Sequence, residues 1–222
     1  MKRKTDNEIR AEVLRELKWD SRLSLAKIEV AVTDGVVTLT GIVTSYSRKL
    51  AAQEAAHRAA GVLDVCNEIE VKPAGIFTRT DVDIARAVRN VLEWDALVPD
   101  NSIQSTVSDG WVTLDGEVEF WHEREEAERA VLRLEGVIGV INKLVVAPRK
   151  VDEAELRDEI ECALERRADR EAERLRIEVN DGEVELFGRV HSWQEKRAVL
   201  GSISHAPGVS AVRDHLRVDP YF

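Results

Sequence analysis

The chain has 222 residues, 44% of them hydrophobic and 33% charged, a folded, globular composition that excludes a disordered or low-complexity polymer. Its formal net charge of −10 gives no general electrostatic reason to bind nucleic acid, and no stretch reaches the roughly 18 apolar residues of a membrane span. Cys66 and Cys162 form neither a Cys-x-x-Cys pair nor a repeated disulfide pattern, which fits a reducing compartment.

The chain opens Met1-Lys2-Arg3-Lys4, but Thr5-Asp6-Asn7-Glu8 follows where a secretory leader would have an apolar core. The expected location is therefore cytoplasmic; a leader already removed would make it periplasmic. Ile9, Val13 and Leu17 then fall at helical spacing behind Thr5 or Asp6 as N-cap. Ile28, Val30 and Val32 alternate with Glu29 and Ala31, the period of a half-buried strand. Asp34-Gly35 is a two-residue type I′ turn, and Val37, Leu39 and Val43 share the apolar face of the returning strand. Gly41 lies on that same face, where a helix backbone or a ligand is expected to come close. A helix over 47–60 follows, its stripe made of Ala52, Ala55, Ala56 and Ala59 and its stop at Gly61. A last strand carries Val65, Asn67, Ile69 and Val71, ending at Pro73.

This order is written three times. Asp34-Gly35-x-Val37-x-Leu39-x-Gly41 returns at Asp109-Gly110-x-Val112-x-Leu114-x-Gly116 and at Asp181-Gly182-x-Val184-x-Leu186-x-Gly188. Residues 5–73 overlay 80–148 without a gap, with 25 of the 69 positions identical. A repeat of this length sets the architecture. The first-helix faces are Ile84, Val88 and Leu92 in the second copy and Leu156, Ile160 and Leu164 in the third. The fold class is α+β: three tandem α-β-β-α-β modules over 5–73, 80–148 and 151–220. Each is a three-stranded mixed sheet with two helices on one face. Strands one and two are antiparallel, and the helical crossover makes strands two and three parallel. The six residues Val37, Leu39, Val112, Leu114, Val184 and Leu186 are the predicted core.

The Asp-Gly turn, the glycine six residues later (Gly35 to Gly41, Gly110 to Gly116, Gly182 to Gly188) and the alanine-rich helix closed by Gly61-Val62 resemble the BON domain family. The third copy is closest to that pattern, with Glu195-Lys196 and Pro207-Gly208-Val209. The resemblance implies a module without catalysis or cofactor, of the kind found in osmotic-stress and envelope proteins and associated with phospholipid or membrane-surface binding. The other partner class left open is protein, for an adaptor with an acidic middle surface. Residues 1–73 carry a net +1, residues 74–148 a net −7 and residues 149–222 a net −4.

Two sets of repeated aromatic positions are candidate contacts. Trp19 and Trp94 end the first helices, where the third copy has Arg166-Arg167; Leu97 and Val98 extend the Trp94 end, and Leu23 and Leu25 the Trp19 end. Tyr46, Trp121 and Trp193 start the second helices. Such residues either dip into a headgroup layer or grip a ligand, or else they pack between modules and staple helix ends. The histidines His57, His122, His191, His205 and His215 never align across copies, and none has zinc-ligand spacing with a cysteine, so neither a metal site nor a catalytic constellation is expected. Charge runs such as Glu123-Arg124-Glu125-Glu126 read as solvated helix faces.

Overall fold

The structure, a computed structural model, describes residues 3–24, 26–73, 79–99, 102–147, 154, 156–160, 162 and 175–221. The first module runs α1 (Asp6–Trp19), β1 (Lys27–Thr33), β2 (Val36–Val43), α2 (Tyr46–Arg58), β3 (Asp64–Asn67) and β4 (Glu70–Val71). The second repeats it as α3 (Asp81–Trp94), β5 (Ile103–Ser108), β6 (Trp111–Val118), α4 (Trp121–Leu132), β7 (Gly139–Asn142) and β8 (Val145–Val146). In the third, residues 156–160 are helical, followed by β9 (Arg176–Asn180), β10 (Glu183–Val190), α5 (Trp193–Ile203) and β11 (Ala211–Val218). Leu25, Leu164, Arg166 and Arg167 lie outside the described residues.

Each sheet is mixed as expected. β2 pairs antiparallel with β1 and parallel with β3 and β4; β6 and β10 are the equivalent centres. Val37, Leu39, Val112, Leu114, Val184 and Leu186 are fully buried. Each module closes its own cluster, in the first from Ile9 and Val13 on α1, Val37 and Leu39 on β2, and Ala52, Ala55 and Ala56 on α2. The alanine stripe brings α2 onto the sheet without forcing the layers apart.

The Asp-Gly turns take positive φ at both central residues, 51° and 82° at Asp34 and Gly35 and closely similar values at the other two turns. Asp pays little for this conformation and Gly nothing. Thr5 caps α1 in a capping box with Glu8, which frees Asp6 for a different task. Its carboxylate accepts the backbone N–H groups of Asp34 (3.0 Å) and Gly35 (2.9 Å). Asp81 does the same for Asp109 and Gly110 at 2.8 and 2.9 Å. The start of the first helix and the hairpin turn are thus one unit.

Two expectations need correcting. The close approach at Gly41 comes neither from a helix nor from a ligand. A Cβ there would stand 2.3 Å from the carbonyl oxygen of Lys27 on the neighbouring strand, and one at Gly116 would stand 2.1 Å from that of Ser102. The final strand is also interrupted in the first two modules. Asn67 turns its Oδ1 to the Ile69 N–H while its Nδ2 donates to the Lys49 carbonyl and the Gln53 side chain; Asn142 repeats this with Leu144, Arg124 and Glu128. In the third module Asp214 stands in that place, paired with Lys196 at 2.8 Å, and β11 is continuous.

The modules meet through their second helices, and the starts of α4 and α5 each lie against another module. Trp193 at the start of α5 stacks on His57 near the end of α2, with centroids 3.9 Å apart. Trp121 at the start of α4 packs against the third module's cluster, and the neighbouring His122 stacks on His205 at 5.3 Å. Tyr46 at the start of α2 has its hydroxyl pKa raised by burial and, secondarily, by the charge of Glu128 on α4. At the chain ends the Lys4 N–H donates to the Tyr221 hydroxyl at 2.9 Å.

Candidate interaction surfaces

The two sets of aromatics have opposite fates. Trp121 and Trp193 are engaged between modules rather than free as contact residues. Lys196 Nζ also lies 5.2 Å from the Trp193 ring centroid, and the Arg124 guanidinium lies 5.0 Å from that of Trp121.

Burial holds the His57 imidazole at a pKa of about 4, below its ordinary 6.5, and Arg197 reinforces the shift. The folded protein therefore binds fewer protons at this site than the unfolded chain between those values. The stability gained by keeping His57 neutral is complete above about pH 6.5 and is lost progressively as the pH falls to about 4. Thermal melts across that window should show a step in the parent protein that His57→Phe flattens. Identical pH profiles for the two would contradict this account of the joint.

Trp19 and Trp94 are instead 87% and 88% exposed, at equivalent positions on two modules. Beside Trp19 the helix end is tied down by ion pairs. Asp20 meets Arg22 at 2.8 Å and Arg58 at 3.2 Å, Arg22 reaches Glu54 at 3.0 Å, and Arg58 reaches Glu16 at 2.9 Å. Hydrogen bonding from Arg22 above all holds the Asp20 carboxyl far below the usual carboxylate range. This network joins the end of α1 to α2 and leaves the indole outside it. At the Trp94 end the residue equivalent to Arg22 is Leu97, 57% exposed, so apolar surface takes the place of the ion pair. Val98, read as part of that apolar end, is buried in the second module's core, and Leu23 is likewise buried in the first. The short turn after each helix folds its fourth residue, Leu23 or Val98, inward. The exposed set is therefore Trp19, Trp94 and Leu97.

A further exposed aromatic, Trp111, begins β6 and lies on the open face of the second sheet. Its signal was there, since it alternates out of phase with Val112 and Leu114. Among the described residues no group of three or more His, Cys, Asp or Glu side chains is placed to hold a metal ion, and no helix is long and apolar enough to cross a membrane.

The family model "BON domain" matches residues 5–73, 80–148 and 152–220. The chain belongs to the BON domain family. Its three BON modules account for nearly all of its length. Among curated proteins it is similar to osmotically-inducible protein Y of Escherichia coli K12, with 27% identity over 143 residues, covering 63% of this chain and 71% of that protein. Among solved structures it matches CdsD, a structural protein of the type III secretion system of Chlamydia trachomatis. Identity there is 13%, coverage is 93% of this chain and 90% of that one, and the TM-score is 0.26. The C-terminal domain of CdsD matches with 13% identity, coverage of 95% and 96%, and a TM-score of 0.27. Scores this low carry no argument about how the BON modules here are arranged.

Proposed function

We propose that this chain is a non-catalytic recognition protein that binds a phospholipid or membrane surface through the tryptophan-tipped ends of α1 and α3. The observation that carries the reading is the contrast between the two repeated aromatic positions. One set is consumed between modules, while Trp19 and Trp94 remain almost fully in water. An indole left exposed twice at the same place is costly unless a surface receives it, and the interfacial layer of a bilayer suits its apolar body and polar N–H. The similarity to an osmotically inducible protein supports a stress- or envelope-associated role, which we place in the cytoplasm.

The two ends should differ. Residues 1–73, with Lys2, Arg3 and Lys4, carry a net +1 and residues 74–148 a net −7, so the Trp19 end is less repelled by anionic lipid. Flotation with neutral and anionic vesicles tests the proposal. Replacing Trp19 or Trp94 by alanine should weaken association by about tenfold each, with the aromatic part insensitive to salt and the charge part reduced by it. Association unchanged in the double variant, or absent with every lipid mixture, would favour the second reading. That reading is a protein adaptor, and the acidity of the middle module is the observation in its favour.

A further inference from the structure

Three copies of one sheet allow each open face to be compared with the other two. On the third module that face is neutralised internally. Arg213 pairs with Glu183 and reaches Glu185 at 4.0 Å, and His215 lies 3.4 Å from Glu185. Phe187 stacks on His215 at 4.7 Å. On the first module Val36 and Ile42 stand apart on β2, separated by Thr38 and Thr40. The second module differs from both. Trp111 occupies the position of Glu183 and lies across Gly139 of the parallel strand, where an added Cβ would meet the indole at 2.3 Å. Ile141 and Val145, 46% and 62% exposed, occupy the positions of Arg213 and Arg217. Along β6 beside them stand Asp115 and Glu117, both exposed, with Glu117 in register with Val145. Among the described residues neither acid has an ion-pair partner. Gln104, Thr106 and Ser108 on β5 are uncharged, and Lys143, exposed between Ile141 and Val145 and in register opposite Asp115, is the one cation of the 139–146 segment.

We propose that this face of the second module is a docking surface for a protein segment carrying apolar side chains flanked by lysine or arginine. The apolar residues would meet Trp111, Ile141 and Val145, and the cations would meet Asp115 and Glu117. The face runs from residue 111 to 117, about 20 Å at strand spacing, enough for a short extended segment. An apolar strip beside charge that is acidic on balance, Asp115 and Glu117 against the single Lys143, is the arrangement of an interaction site. Its acidic rim selects against an anionic membrane, so the site is separate from the tryptophan tips of α1 and α3.

The test is amide chemical-shift mapping on the full chain. The probe is a short synthetic peptide with a Leu-Thr-Leu centre between lysines, and its control has glutamates in place of the lysines. The lysine peptide should shift residues 111–117 and 139–146, leave β10 and β11 unmoved, and bind where the glutamate peptide does not. Asp115→Asn with Glu117→Gln should weaken it by about tenfold, and Trp111→Ala by about thirtyfold. The charge-neutralising pair lies on exposed positions and keeps the test valid if the Trp111 variant folds poorly. Four results would overturn the proposal: no shifts, shifts spread over all three modules, equal affinity in the charge-neutralised variant, or concentration-dependent shifts of the same amides without peptide, which would make the occupant a second copy. Vesicles that move these amides when the peptide does not would make it lipid.

Discussion

Leu114→Ala should lower the stability of the protein by about 2–5 kcal/mol. Leu114 is fully buried at the centre of β6, in a cluster that includes Val88 and Leu92 from α3 and Ala127 and Val131 from α4. Removing its side chain forfeits the transfer of the lost carbons and leaves a cavity that only partial collapse can fill. The alanines on α4 have no side chain to extend into the gap. Urea unfolding followed by circular dichroism gives the number directly. A loss below about half a kcal/mol would mean that this face is not the core.

Gly116→Ala should cost about 3 kcal/mol or more, because two penalties coincide at that position. The backbone φ is 140°, a conformation that L side chains rarely adopt. The added methyl would also meet the Ser102 carbonyl oxygen at 2.1 Å and its carbon at 3.1 Å, so strand β5 has to move. Gly201 is the internal control: it lies in α5, and a Cβ there meets nothing within 4 Å. Gly201→Ala should leave stability unchanged or raise it by up to about 1 kcal/mol. Equal effects at the two glycines would contradict the steric account of Gly116.

The contrast between these glycines shows where local reading ran out. Alternation of Val112 and Leu114 against Thr113 and Asp115 is a property of neighbouring residues, and it located the core. The Asp-Gly turns were legible for the same reason, since positive φ is a local demand. The reason for Gly41 and Gly116 was not, because the oxygen they avoid belongs to a strand some fourteen positions earlier, and the register that brings it close is set by the whole hairpin. Asn67 looked like one more polar residue in a strand. Only its contacts with Lys49 and Gln53 on α2 show why the strand breaks after it. Val98 looked like an extension of the Trp94 end, yet the turn after α3 carries it into the core. The fates of Trp19 and Trp193 depended on how whole modules meet, which no spacing within one module encodes. Trp111 is legible by phase alone, since it lies on the face opposite Val112 and Leu114.

The most direct measurement for the central claim, that Trp19 and Trp94 form the receiving surface for lipid, is tryptophan emission on vesicles containing brominated lipid. The parent protein should blue-shift and be quenched on binding, and Trp19→Phe with Trp94→Phe should lose most of that quenching while keeping the emission of Trp111, Trp121 and Trp193. Quenching that persists in the double variant, or emission of the parent protein that no lipid mixture changes, would contradict the account.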